Sequence, residues 1–173
     1  MVDFKKRITK KVLDKRIVPR EIYEYLDRES DKGPLRLVQQ TILEKWYEKF
    51  SNKRDVILKL HTGQGKTLIG FLMLQSRLNQ DLGPAVYLCP DNYLVDQTCK
   101  QAESFGINYT LFDGVGFGDF EDGKVILITT IHKLFHGGSN FGIKNHPTPI
   151  STILMDDSHA CIERIKDVCK IRL

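Results

Sequence analysis

The feature that most restricts this chain is the octapeptide Leu60-His61-Thr62-Gly63-Gln64-Gly65-Lys66-Thr67, set between two runs of different conformational preference. Upstream, residues 55–60 are apolar and β-branched, which predicts a strand. Downstream, residues 66–78 carry Leu68, Ile69, Phe71, Leu72, Leu74 and Leu78, which predicts a helix. A strand that turns through glycines into a helix leaves the N–H groups of the turn and of the first helical turn without backbone partners. Gly63 and Gly65 permit the tight turn and bring those amides, with the backbone of Thr62 and Gln64, close to phosphate oxygens. Lys66 can reach the β and γ phosphates of a nucleoside triphosphate as a point charge, and the Thr67 hydroxyl can hold Mg²⁺. The strict pattern begins with glycine where this chain has Leu60, so the match is the shorter G-x-G-K-T form.

Such a loop needs a carboxylate for the metal on a neighbouring strand. Residues 150–155 are an apolar run that ends in Asp156-Asp157. The C-terminal end of a strand is where α/β sheets place ligand groups. Asp156 can hold Mg²⁺ through water, and Asp157 can orient or deprotonate an attacking water. The alternative for both aspartates is a helix cap.

Around these two segments the chain alternates. Strands are expected at residues 85–89, 109–112 and 125–130, and helices at 93–105, 131–135 and 159–168. Residues 114–123 hold four glycines and read as loop, as do residues 137–149. A helix is expected over 38–50, and one or two short helices over 8–26, interrupted near Pro19. The strands are continuous apolar runs, as in sheets covered on both faces. The fold class is therefore α/β with a mostly parallel sheet, of the P-loop NTPase kind. The expected division is a basic helical extension over 1–34 and a nucleotide-binding domain over 35–173.

In order and content these motifs resemble the first RecA-like domain of a superfamily 2 helicase of the DEAD/DEAH-box type. That family's loop A-x-x-G-x-G-K-T corresponds to Leu60 through Thr67, and its D-E-x-H to Asp156-Asp157-Ser158-His159. The resemblance implies ATP and Mg²⁺ as cofactors, Asp156 as the metal-holding aspartate, and His159 as a contact to the phosphate site. It also puts Asp157, one methylene shorter than glutamate, in the catalytic position, where misplacement by an ångström can cost about a hundredfold in rate. Leu35-Arg36-Leu37-Val38-Gln39 resembles the family's L-R-x-x-Q segment. Gln39 would then read the adenine edge through its amide, with Gln40 as the alternative. Tyr87-Leu88-Cys89-Pro90 and Ile128-Thr129-Thr130 resemble the stretches that contact a nucleic acid backbone. Pro90, Asp91, Thr129 and Thr130 are the candidates, against a plain turn at Pro90-Asp91 and a helix cap at Thr130.

The family's next strand, with an S-A-T motif, and its second RecA-like domain are not read before Leu173. The expectation is an N-terminal fragment of a longer motor, weak or inactive without its second domain, whose partners are that domain and RNA or DNA. Two further readings remain open. One is a duplex DNA translocase subunit of a restriction or defence system. The other is a degenerate nucleotide-binding scaffold or regulatory module.

Charge adds one more feature. Eight basic side chains against Asp3 and Asp14 give the first twenty residues a net +6, in a chain whose total is +4, so the remainder is near −2. This arm can touch nucleic acid phosphates, or it is a solvated helix face or tail. The cysteines (Cys89, Cys99, Cys161 and Cys169) form no CxxC pair and read as buried or half-buried thiols of a reducing compartment. With no secretory signal and no apolar run of membrane length, a cytoplasmic location is expected, or nuclear in a eukaryote.

Overall fold

The computed structural model describes residues 15–112, 117–135, 141 and 147–169. The far N-terminal basic residues and most of the 137–149 loop lie outside them. Four strands, β1 (Ala85–Cys89), β2 (Tyr109–Leu111), β3 (Ile126–Thr130) and β4 (Thr152–Met155), form one sheet in the order β2-β3-β1-β4. Every pairing is parallel. Among the described residues, seven helices accompany them: α1 (Pro19–Tyr25), α2 (Leu37–Lys49), α3 (Lys66–Asn79), α4 (Asn92–Ser104), α5 (Phe117–Glu121), α6 (Ile131–Phe135) and α7 (Ser158–Val168).

The alternation of side chains along a strand explains why the strands are apolar throughout. In β1, Ala85, Tyr87 and Cys89 join a core with Phe71, Leu74 and Leu78 of α3 and Val95, Cys99 and Ala102 of α4. Val86 and Leu88 point the other way, to a core with Phe120 of α5, Ile131 and Leu134 of α6, and Cys161 of α7. Both faces are covered, so no residue of β1 or β3 meets solvent. Fully burying a side chain of leucine or phenylalanine size contributes about 1.5–3 kcal/mol.

α1 begins at Pro19, whose missing N–H costs nothing at a first helical position. Its Ile22 and Tyr23 share a third core with Leu43 of α2 and Leu68, Ile69 and Leu72 of α3. Residues 22–35 are thus packed onto the helix that follows the glycine loop.

Two expectations fail. Residues 55–60 are not a strand: they have no ladder partner among the described residues, and Val56, Ile57 and Leu58 are 45 %, 93 % and 42 % exposed. The composition is that of a strand covered on both sides, but strand structure needs a hydrogen-bonded neighbour, and here β4 is an edge with Ile153 42 % exposed. Arg77 of α3 bonds the Ser51 carbonyl (3.1 Å) and the Thr152 hydroxyl (3.4 Å), which brings the chain just ahead of this segment close to the start of β4. The second failure is the loop expected over 114–123, part of which is α5. Phe117 and Phe120 drive that turn inward, stacking with each other at 5.4 Å and onto Phe112 and Phe141 at 5.6 and 6.0 Å. Aromatic burial there outweighs the low helix propensity of Gly118.

Candidate functional site

The glycine loop ends in a helix with an uncapped N-terminus. Gly65, the N-cap of α3, has φ 74 and ψ 43, and no side chain bonds the first amides of the helix. Those donors are the groups that an anion satisfies. Gly63 also has a positive φ, 81. Lys66 and Thr67 open α3, with Lys66 exposed and Thr67 half-buried. His61, Thr62 and Gly63 are exposed, so the loop lies open on its outer side.

α2 holds this loop by its carbonyls. Arg36 donates from Nη1 to the Gly63 carbonyl at 2.8 Å. Gln39 donates from Nε2 to the Gln64 carbonyl at 3.3 Å, and its Oε1 accepts from the Arg36 N–H at 2.9 Å. With two carbonyls engaged from behind, and the Gln64 N–H donating to the His61 carbonyl at 3.4 Å, the amides of Gly63, Gly65 and Lys66 remain for a ligand. Gln39 is 6 % exposed, and both halves of its amide are bonded within the chain. Reading an adenine edge with it would require giving up one of those bonds. Gln40 donates to the Leu35 carbonyl at 2.8 Å. Arg36 is a loop-holding residue that sequence reasoning passed over, although it lies inside the L-R-x-x-Q segment.

Asp156 reaches the same place from the sheet. Its N–H donates to the Leu88 carbonyl at 3.0 Å, which continues the β1–β4 ladder one step. The strand alternation puts its side chain on the side of Leu154. Leu154 faces α3, where a Cβ added to Gly70 would stand 2.8 Å from Leu154 Cδ1 and 3.2 Å from Tyr87 Cε2. Gly70 therefore lets α3 lie close over β1 and β4. Tyr87, 1 % exposed, lies in the same place: burial first, then the charge of the Asp156 carboxylate, push its phenol well up. The first turn of α3, with Thr67, and the end of β4, with Asp156, thus belong to neighbouring elements.

This donor set fits magnesium. Mg²⁺ beside a nucleotide takes one or two protein oxygens and completes its shell with phosphates and water. Among the described residues no group of three His, Cys, Asp or Glu side chains is placed to hold a metal unaided, so the hydroxyl and the carboxylate would act together with phosphate. Behind Asp156, the Cys161 thiol donates to its carbonyl at 3.1 Å. Burial and then the charges of Asp156 and Asp157 push that thiol up to about 11, which keeps it protonated. Cys89 and Cys99 are likewise buried, while Cys169 is exposed.

Asp157 stands differently. It has φ 48 and ψ 72, a conformation rare for residues with a side chain, and its Oδ1 accepts from the Ala160 N–H at 3.3 Å as the N-cap of α7. The capping alternative is therefore realised by one oxygen, and the exposed side chain keeps its second. His159 lies exposed on the first turn of α7.

Pro90, Asp91, Thr129 and Thr130 sit along the same edge. The register pairs Leu88 with Thr129 and Cys89 with Thr130, so the C-terminal ends of β3, β1 and β4 form a continuous row that leads to Asp156. Asp91 caps α4 by accepting from the Leu94 N–H at 2.9 Å. The Thr130 hydroxyl accepts from the Lys133 N–H at 3.4 Å. Among the described residues, the Thr129 hydroxyl is the one buried side-chain polar atom without a hydrogen-bond partner. The described basic residues ahead of α1 and at its start are engaged by their own chain: Lys15 pairs with Asp81 at 2.6 Å, Arg16 lies over the Tyr25 ring, and Arg20 pairs with Glu24. Exposed pairs of this kind are worth little.

Among the described residues, no helix is long and apolar enough to cross a membrane. A family model described as type III restriction enzyme, res subunit, matches residues 32–171. No curated protein and no solved structure matches the chain.

Proposed function

Because the chain belongs to the type III restriction enzyme res subunit family, a family of superfamily 2 helicase N-terminal domains, we propose that it is the ATP-binding half of a nucleic acid motor. At family level this is a helicase-like ATPase motor domain. The observation that carries the reading is the uncapped start of α3, with Lys66 and Thr67 in its first turn and Asp156 approaching from β4.

In this reading the amides of Gly63, Gly65 and Lys66 receive the β phosphate, and Lys66 spans the β and γ phosphates. Thr67 and Asp156 orient the oxygens that face Mg²⁺, which when bound neutralises charge on the transferring phosphoryl group. Asp157 directs its uncommitted oxygen at the attacking water, and His159 lies one helical step beyond. Pro90, Asp91, Thr129 and Thr130 meet the nucleic acid backbone along the sheet edge. A second RecA-like domain closes the outer side of the loop and supplies the cationic groups that complete the site, so hydrolysis changes the grip on the strand through domain closure.

A second reading concerns the track. The matched family is described as a restriction enzyme subunit, which favours translocation along intact duplex DNA over strand separation by tracking on a single strand. ATP turnover measured on the full chain with single-stranded RNA, single-stranded DNA and duplex DNA separates the two. Low basal turnover, raised by duplex DNA more than by either single strand, is expected. Strong turnover without any second domain, lost in Lys66→Ala, would overturn the half-motor reading while keeping the ATP site.

Asp157 gives a separable prediction. Asn caps helices and tolerates a left-handed backbone as well as Asp does. Asp157→Asn is therefore expected to leave the thermal midpoint in place while lowering turnover about a hundredfold. Asp157→Ala should also lose about 1 kcal/mol with the cap. Unchanged turnover in Asp157→Asn would reduce Asp157 to a cap.

A further inference from the structure

Gln39 is buried in the first turn of α2, and its amide is engaged at both ends. Oε1 accepts from the Arg36 N–H at 2.9 Å, and Nε2 donates to the Gln64 carbonyl at 3.3 Å. These partners fix which way the amide faces, since a flip would set oxygen against carbonyl and NH₂ against N–H. A hydrogen bond to a carbonyl also acts on the next residue. The peptide group is planar and trans, so the Gly65 N–H lies opposite the Gln64 carbonyl in one plane. With that carbonyl drawn toward α2, the Gly65 N–H points away from α2. Gly65 is the N-cap of α3, whose first amides no side chain bonds. A Cβ at Gly65 would run into Gln39 Nε2, so the side chain lies directly against this peptide. Arg36 holds the preceding carbonyl, that of Gly63, at 2.8 Å. Two consecutive peptide planes of the loop are therefore set from one turn of α2.

We propose that Gln39 is a positioning residue for the triphosphate, acting through the Gln64–Gly65 peptide, and that it takes no part in choosing the base. The inference rests on the phosphate-site reading above. Reading an adenine edge takes a donor and an acceptor from one amide, and both halves of this amide are engaged within the chain at a buried position. The polyphosphate is common to all nucleoside triphosphates and to inorganic tripolyphosphate. A residue that aims an amide at it supports each of these ligands by the same factor. Without the Nε2 donor the Gln64–Gly65 peptide loses its set direction. The anion must then order that peptide on binding, and the ordering is subtracted from affinity.

The test measures the affinity of the full chain for ATP and for inorganic tripolyphosphate, at a temperature where circular dichroism shows each variant folded. Gln39→Met keeps the length of the side chain and removes both bonds. It is expected to weaken the two ligands by one common factor, about tenfold, the worth of a single hydrogen bond. Gln40→Met instead removes a bond to the Leu35 carbonyl (2.8 Å), outside the loop, and should leave tripolyphosphate affinity unchanged. The peptide can also be watched directly. Gln64-Gly65 is the only Gln-Gly pair in the sequence, so ¹³C-carbonyl glutamine with ¹⁵N-glycine isolates one amide resonance. That resonance should shift when tripolyphosphate is added to the unaltered chain. Without ligand it should be displaced in Gln39→Met and not in Gln40→Met. A loss confined to ATP would make Gln39 a base reader and overturn the inference. Undiminished tripolyphosphate affinity in Gln39→Met, an equal loss in Gln40→Met, or a Gly65 amide that Gln39→Met leaves in place would overturn it too, with the phosphate site still standing. Failure of the unaltered chain to bind ATP and tripolyphosphate alike would remove the phosphate site and the inference together.

Discussion

Replacing Lys66 with alanine is expected to lower ATP turnover about 10²–10³-fold, the usual cost of removing one preorganised group that faces developing charge. The same change should leave the fold intact or firmer. Lys66 is exposed and makes no ion pair among the described residues. It also sits in the first turn of α3, where the helix dipole disfavours a cation by about 0.3–1 kcal/mol. Alanine relieves that repulsion and is the best helix former. The two effects oppose each other in sign, which makes the measurement decisive. Thermal denaturation without nucleotide should show an equal or slightly raised midpoint, and equilibrium binding should show weakened ATP affinity. Undiminished ATP binding by Lys66→Ala would mean that the loop does not hold the phosphates.

Gly65→Ala is expected to be the most destabilising single change in the loop. The left-handed backbone at Gly65 costs a residue with a Cβ about 1–2 kcal/mol. The new methyl would also run into Gln39 Nε2, breaking the bond to the Gln64 carbonyl. Leaving a buried amide unpaired adds about 1–3 kcal/mol, for a total of roughly 2–5 kcal/mol and a midpoint lowered by about 10 °C in a chain of this size. Gly63→Ala is the control. Gly63 also has a positive φ, but nothing stands within 4 Å of its added Cβ, so only the backbone term of about 1–2 kcal/mol applies. Combining Gly65→Ala with Gln39→Ala should cost less than the sum of the two, since the side chain that clashes is gone. Equal losses in Gly63→Ala and Gly65→Ala would show that Gln39 does not brace the loop.

Much of the site was legible because its signals are local. G-x-G-K-T before a helical pattern states, within a few residues, that the backbone must turn with open amides, and the uncapped start of α3 follows from it. An apolar run ending in two aspartates similarly announces a strand with a carboxylate at its C-terminal end. Asp157 shows where such reading stops. Water activation and helix capping draw on the same residue type at the same position, and only the backbone at φ 48 reveals that one oxygen is committed to α7. Residues 114–123 misled for a related reason: glycine content is a local signal, whereas Phe117 and Phe120 are decided by the aromatic partners waiting for them.

The order of the motifs, the α/β alternation and the chemistry of the phosphate loop belong to the sequence, since each depends on neighbours a few residues apart. Which strands pair, and which side chains brace the site, belong to the tertiary structure. Residues 55–60 have a strand's composition and no ladder, because pairing requires a second backbone at hydrogen-bonding distance and no residue can supply that for itself. The closeness of the phosphate loop's helix to the strand that ends in Asp156 likewise exists only once α3 settles on β1 and β4 over Gly70, against Leu154 and Tyr87. Which elements lie against one another is set by distance in space, and folding alone brings those three segments together.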